Sequence, residues 1–304
     1  MIIIENLRKT YNHKSKIAVD GISFSVNNGE ILGLVGLNGA GKTTTINASC
    51  GVILPSGGRI LIDDMEIVEE KAKASQEIGW VSENPNFEQN TKAIHLMLYY
   101  AGFYKIPRKE AFNRSMDLLR TVGLEEDAYR PASAYSQGMK KRFALASAMI
   151  SNPRNLLLDE ILNGLDPSGI NLIKKLILEW KKQGKAILLS THLLGVLENL
   201  ADRVIIMHHG KIIKTLTNDE MKSLGSTGIR IRADHVDKSL EMLLSKYGTV
   251  RIDGQNVIVN GDLNEKDMEN ISSDISSHGY RISHLDLEKK SLEEYFLTLI
   301  GEAL

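Results

Sequence analysis

The segment Gly36-Leu-Asn-Gly-Ala-Gly-Lys-Thr43 sets three glycines ahead of a lysine and a threonine. Glycines at 36, 39 and 41 open backbone angles closed to other residues, so the chain can curl and turn successive N–H groups inward. The amides of Gly36, Asn38, Gly39, Ala40 and Gly41 would then form a nest for phosphate oxygens. Lys42 is placed to neutralise the β- and γ-phosphates, the Thr43 hydroxyl to ligate Mg²⁺, and Thr44 to help at the phosphates. A glycine-rich turn carrying a solvated lysine is the plainer reading. It leaves unexplained why an apolar strand, Ile31–Val35, enters the loop and a helix leaves it after Gly41, where helical N–H groups and partial positive charge favour an anion. The ligand this implies is a nucleoside triphosphate.

A second group of chemical residues follows the run Asn155, Leu156, Leu157, Leu158, which ends in Asp159 and Glu160. Three leucines make a buried strand, and two carboxylates stand at its C-terminal end, where ligands bind in open α/β sheets. Asp159 can hold Mg²⁺ through its water shell, and Glu160 can accept a proton from, or orient, an attacking water. An Asp-Glu pair also ends strands and caps helices without any catalytic part, so the reading gains its weight from the phosphate loop.

The elements that must position these residues can be traced along the chain. Short strands are expected at Ile2–Ile4, Ile22–Val26, Ile31–Val35 and Arg59–Ile62, separated by the turns Asn27–Gly29 and Ser56–Gly58, with one helix from Gly41 through Cys50. Helices are expected at Thr91–Tyr104, Arg108–Val122 and Gly138–Ser151. The apolar runs Asn155–Asp159 and Ala186–Ser190 alternate with helices at Ser168–Gln183 and Leu193–Leu200, the pattern of a parallel sheet covered on both faces. Arg203–Met207 and Lys211–Thr215 flank His208, His209 and Gly210 as a hairpin. LGSTG, residues 224–228, reads as a linker. Beyond it come a strand at Ile229–Ala233, a helix at Val236–Tyr247, strands at Thr249–Ile252 and Val257–Asn260, a helix at Glu265–Ser277, a strand at Arg281–Leu285 and a helix at Ser291–Ile300. That β-α-β-β-α-β order implies a small ferredoxin-like unit.

Composition narrows the function. The 304 residues suffice for one large and one small domain. With 37 basic and 38 acidic residues the net charge is −1, without the basic excess of a chain built to bind phosphate backbones, so no nucleic-acid partner is expected. Cys50 is the single cysteine, which excludes an intramolecular disulfide framework and zinc-ligand spacing. No stretch approaches the roughly 20 apolar residues that cross a bilayer, and MIIIENLRKTY lacks the pattern of a secretory leader. The expectation is a cytoplasmic protein that reaches the membrane through a partner.

Between the phosphate loop and the carboxylates lies Tyr135-Ser136-Gln137-Gly138-Met139, followed by Lys140, Lys141, Arg142 and a helix. Here the chain resembles the ATP-binding cassette (ABC) family, whose signature is L-S-G-G-Q with Y-S-x-G-M as a common variant. ILNGLDP, closing on Asp166, and LLSTHL, with His192 at the switch position, follow in the family's order. The resemblance covers residues 1 to about 215. It implies a P-loop NTPase cassette over 1–222, with a mostly parallel sheet, an antiparallel β-subdomain and a helical subdomain at 84–134, plus an α+β accessory domain at 228–304.

The resemblance also implies roles. ATP and Mg²⁺ would be the cofactors. Tyr11, read as lying in the turn after the first strand, would stack on adenine. Ser136 and the backbone of Gln137 and Gly138 would grip the γ-phosphate of ATP held on another subunit, with Asp166 contributing at the same interface. His192 would contact the γ-phosphate and help settle the water. Glu83 stands where the family usually has a Mg²⁺-sensing glutamine. Ile161 and Leu162 replace the proline and small or aromatic residue that often follow the catalytic glutamate, and Gln137 replaces the first glycine of the signature pair. The aromatic group Tyr99, Tyr100, Phe103 and Tyr104 reads mainly as core. The C-terminal unit, ending SLEEYFLTLIG, resembles the tail of single-cassette proteins of ABC-2-type exporters.

The function expected is thus the ATP-hydrolysing subunit of a transporter, a homodimer or heterodimer of cassettes driving a separate transmembrane permease, peripheral on the inner face of the membrane. Two other readings are a soluble ABC ATPase acting on ribosome or nucleic acid, and a regulatory protein that holds ATP without hydrolysing it. One phosphate loop, a normal interval from Lys42 to Ser136 with no heptad run, and an intact Glu160 argue against them.

Overall fold

The computed structural model describes residues 1–11, 16–222, 224, 226–254, 256–261, 263–289 and 292–302. The chain divides into two compact units, Met1–Asn218 and Asp219–Leu304. The first begins with β1 (Ile2–Tyr11), β2 (Lys16–Val26), β3 (Ile31–Gly36), α1 (Lys42–Ser49), β4 (Gly57–Ile62), β5 (Met65–Glu66), α2 (Lys71–Ala74) and β6 (Ile78–Val81). The helices α3 (Ala93–Phe103), α4 (Arg108–Thr121) and α5 (Gln137–Ala148) come next. Then follow β7 (Asn155–Asp159), α6 (Pro167–Lys182), β8 (Ala186–Ser190), α7 (Leu194–Leu197), β9 (Arg203–His208) and β10 (Lys211–Thr217), with α8 (Asn218–Lys222) spanning the division between the units.

Two sheets build this unit. β2-β1-β4-β5 is antiparallel, and β10-β9-β3-β8-β7-β6 is parallel except for β10 at its edge. Every residue of β3, β7 and β8 is buried, which accounts for their unbroken apolar runs: a strand covered on both faces has no solvent side. α6 buries Ile173, Leu176, Ile177 and Trp180 at helical spacing, while Pro167 in its first turn and Lys181 and Lys182 in its last suit the exposed ends. His209 and Gly210, both with positive φ, make the two-residue turn of the β9–β10 hairpin.

Four expectations change. Tyr11 is the last residue of β1 and pairs with Lys16; β1 extends to ten residues because it is hydrogen-bonded by β2 on one side and β4 on the other. The helix expected over Leu193–Leu200 shrinks to Leu194–Leu197, a single turn with Gly195 inside it. Of the aromatic group on α3, Tyr99 and Phe103 are 63% and 67% exposed. The helix buries Ala93, Ile94, Leu96, Met97 and Ala101, so Tyr99 and Phe103 fall on the outer face, where their rings meet edge to face at 5.0 Å. Finally, Ser226 and Gly228 of the expected linker belong to a strand, and Gly225 lies outside the described residues.

That strand opens the second unit: β11 (Ser226–Ala233), α9 (Lys238–Leu244), β12 (Thr249–Asp253), β13 (Asn256–Asn260), α10 (Glu265–Ser277), β14 (Ile282–Lys289) and α11 (Leu292–Glu302). Ser291, the expected start of the last helix, lies outside the described residues. The antiparallel order β12-β13-β11-β14 is the ferredoxin-like arrangement. Ile229, Ile231 and Ala233 alternate inward on β11 and meet Leu240 and Leu244 of α9 and Ile271 and Ile275 of α10 in a core of its own. Asn264 and Asp267 form a capping box at the start of α10.

Candidate functional site

The phosphate loop runs from the end of β3 to the start of α1. Gly41 caps α1 with φ at 107°, and a Cβ there would meet the Ala18 carbonyl oxygen at 2.5 Å, so only glycine fits. Gly36 is equally tight: a Cβ would lie 2.5 Å from the Met207 carbonyl oxygen. Neither a capping side chain nor an acidic residue occupies the first turn of α1, leaving its N–H groups and positive end facing the loop. Leu37, Asn38 and Gly39 are exposed, Thr43 is exposed and Thr44 half-buried.

Lys42 is buried to 6% exposure, and its Nζ donates to the Gly36 carbonyl at 2.8 Å and lies 3.4 Å from Glu160 Oε1. The loop lysine and the candidate base are thus already paired. Asp159 ends β7 opposite Ser190 of β8, whose Oγ donates to Asp159 Oδ1 at 2.6 Å. The same Oγ accepts from the Glu160 amide at 3.0 Å. Burial raises the Asp159 pKa, with the charges of Glu160 and Glu83 adding to it; hydrogen bonds from Ser190 and Thr43 oppose the rise. A buried carboxylate beside two others, with the Thr43 hydroxyl directed at it, is a donor set suited to a cation. Among the described residues no group of three or more His, Cys, Asp or Glu side chains converges to hold a metal, so Thr43, Asp159 and waters would supply its ligands.

Glu160 has φ at 47°, a left-handed conformation uncommon outside glycine. Its Oε2 accepts from Asn163 Nδ2 at 2.7 Å and lies 3.4 Å from His192 Nδ1. Asn163 Nδ2 also meets His192 Nδ1 at 3.1 Å. With Nδ1 accepting from the amide, the proton of a neutral His192 sits on Nε2, available to a ligand on the open side of the ring. Asn163 went unread in the sequence although it lies within ILNGLDP; its role appears only once the turn after β7 folds it back onto the carboxylate. Ile161 and Leu162 are fully buried, which explains apolar residues at those positions.

The signature residues pack beside the segment that follows Asn163: an added Cβ on Gly138 would meet Leu165 at 3.4 Å, and one on Gly164 would meet Gln137 at 3.8 Å. Ser136 caps α5, its side chain accepting from the Met139 amide at 3.3 Å. Ser136 and Gln137 are exposed and Gly138 half-buried. Among the described residues no hydrogen bond or ion pair joins these three to Lys42, Asp159, Glu160 or His192. Asp166 accepts from Ser168 Oγ at 2.6 Å and the Gly169 amide at 3.1 Å; these bonds lower its pKa and commit it to capping α6. Glu83 is exposed beyond β6, near enough for its charge to act on Asp159 and Lys141. Tyr11 is 38% exposed with Lys9 Nζ 5.1 Å from its ring centroid. Of the basic residues at the start of α5, Lys141 is only 1% exposed.

Residues 19–163 match the family described as ABC transporter. The bacitracin transport ATP-binding protein BcrA of Bacillus licheniformis is 31% identical over 98% of this chain and 97% of its own length. This chain belongs to the ABC transporter ATP-binding family. The linearmycin resistance ATP-binding protein LnrL of Bacillus subtilis is 29% identical over 100% of this chain and 99% of its own. Among solved structures, an ATP-binding subunit of an ABC transporter superposes with a TM-score of 0.68 at 28% identity, over 73% of this chain and 92% of that one. The ABC motifs read in the sequence, phosphate loop, signature and carboxylate pair, all fall in the first unit. No helix among the described residues is long and apolar enough to cross a membrane.

Proposed function

We propose that this chain is the ATP-hydrolysing subunit of an ABC exporter, working as a dimer against a separate transmembrane permease from the cytoplasmic face. The observation that carries the reading is the Glu160 carboxylate, held between Lys42, Asn163 and His192 at the mouth of the phosphate loop. ATP entering the loop offers Lys42 its β- and γ-phosphates, drawing the ammonium off Glu160. The freed carboxylate takes the proton as water oxygen bonds to γ-phosphorus and the bond to the β-bridging oxygen breaks, giving ADP and phosphate. His192 Nε2–H stabilises charge on the γ-phosphate. Thr43 and Asp159 would hold Mg²⁺, which would supply neutralisation of the phosphate charge, with the Glu83 carboxylate acting on Asp159 from beyond β6.

Ser136, Gln137 and Gly138, exposed at the start of α5 and apart from the loop, are free to close on ATP held by a second copy. An open groove of about 500 Å³, lined in part by Trp80, Phe87, Tyr100, Phe103 and Tyr104, fits an apolar helix of the permease, with Tyr99 exposed alongside. Export is supported by the full-length relatives: those matched through the C-terminal unit include a bacitracin transport and a linearmycin resistance protein. CbiO1 of Clostridium perfringens, 31% identical with a TM-score of 0.64 over 73% of this chain and 90% of that one, is described as part of a transporter complex, which supports a permease partner.

The test is Glu160→Gln. Its ATP turnover should fall by roughly 10²–10⁴ with nucleotide binding retained, and the parent's turnover per molecule should fall on dilution. A Glu160→Gln protein that hydrolyses ATP at the parent rate would remove the general base from this account.

A further inference from the structure

Lys141 has a fully buried ammonium in a part of the molecule where the reaction chemistry gives it no direct task. Buried lysines normally face a carboxylate. Here Nζ donates to two backbone carbonyls, Glu160 O at 2.7 Å and Asn163 O at 2.8 Å. Burial lowers its pKa, against the pull of Glu83, Glu160 and Asp159.

The two carbonyls bound the turn that follows β7, which is closed by the Asn163 amide donating to the Glu160 carbonyl at 3.2 Å. That turn sets two things at once. It keeps Glu160 left-handed at φ 47°, a strained conformation that persists only where neighbours over-determine it. It also aims Asn163 Nδ2 at Glu160 Oε2 and His192 Nδ1. Loss of the ammonium would remove a donor from both carbonyls, leaving the Glu160 carbonyl with the Asn163 amide alone, and let the strained turn relax, swinging the carboxylate away from the loop. Lys141 stands on α5, the helix that Ser136 caps, so the signature residues and the backbone of Glu160 are tied to one rigid element.

We propose that Lys141 is a positioning residue for ATP hydrolysis: through the Glu160–Asn163 turn it sets the orientation of the catalytic carboxylate. The proposal rests on Glu160 acting as the proton acceptor, and the experiment separates the two. Lys141→Met and Lys141→Gln are made in the parent and in Glu160→Gln, with kcat and KM for ATP, ADP affinity and single-turnover hydrolysis measured for each. In the parent background, kcat should fall roughly 10–100-fold, the loss typical of a misplaced reacting group. KM should not rise by more than about threefold, because the phosphate loop is untouched, and ADP should bind tighter to the extent that the carboxylate has left Lys42, up to the gain expected for Glu160→Gln. In Glu160→Gln, the Lys141 substitution should slow the residual single-turnover rate no further, since both changes disable one device.

An unchanged kcat in the parent background overturns the proposal. So does an equal fold-loss in both backgrounds, which is what general destabilisation produces. If Lys141→Met does not fold, Lys141→Gln, which keeps an N–H₂ donor, is read by the same cycle. Turnover at the parent rate by Glu160→Gln itself would instead condemn the assignment of the base.

Discussion

The pairing of Lys42 with Glu160 makes a prediction about nucleotide affinity. At 3.4 Å, with an effective dielectric near 20, the gross attraction is about 5 kcal/mol. Both side chains are 7% exposed, so desolvation offsets most of it. A net competition of about 1–2 kcal/mol against the incoming phosphate remains, a factor of roughly 5–30 in affinity. Glu160→Gln removes the charge and leaves an amide oxygen for Lys42, so the contact survives while the competition weakens. ADP is the right probe: its β-phosphate meets Lys42, yet it has no γ-phosphate for a second copy to grip. Calorimetric titration should show Glu160→Gln binding ADP at least about fivefold tighter, with a lower melting temperature in the nucleotide-free protein. Unchanged or weaker ADP affinity together with unchanged melting would show that the pair does not oppose binding, and the sequence of events proposed for Lys42 would have to be abandoned.

Two further predictions come from the same site. Burial raises the Asp159 pKa above its unfolded value, so the associated stability is present at low pH and is lost as pH climbs through the raised pKa. Asp159→Asn should therefore melt higher than the parent at neutral pH without Mg²⁺, the advantage should vanish in acid, and Mg²⁺-dependent stabilisation by ATP should disappear; a lower neutral melting temperature would contradict the assigned cause. The loop glycines separate backbone strain from steric conflict. Gly39 has φ at 84° with nothing within 4 Å of an added Cβ, whereas Gly41 at 107° would meet a carbonyl at 2.5 Å. Gly39→Ala should cost about 1–2 kcal/mol and leave a folded protein, and Gly41→Ala should lose distinctly more stability along with ADP binding, so equal melting shifts would refute the distinction.

What was legible in the sequence is what depends on neighbours along the chain. A phosphate nest is made by consecutive amides, so Gly36 to Thr43 carry it in their order alone. Asp159 and Glu160 terminate a strand whose leucines announce its burial, and Ser136-Gln137-Gly138 ahead of a helical pattern reads as a helix cap. The layered architecture followed from apolar runs alternating with helical periodicity, because strands with no solvent side have no polar positions to show. Glu83, two residues beyond β6, was placed by resemblance to the family alone.

Tertiary structure decided the rest. Ser190 meets Asp159 because β8 lies beside β7 in one register, which periodicity does not specify. Asn163 and Lys141 look like an ordinary loop amide and a surface charge until the turn after β7 and the packing of α5 bring them to Glu160 from different segments. Tyr99 and Phe103 lie on α3 at the same spacing as core residues would, and only the direction from which the neighbouring helices pack turns them outward. Local rules specify which backbone angles and donors a segment can offer. Which distant group receives them is set by how the strands and helices pack, and that is where the setting of the Glu160 carboxylate is determined.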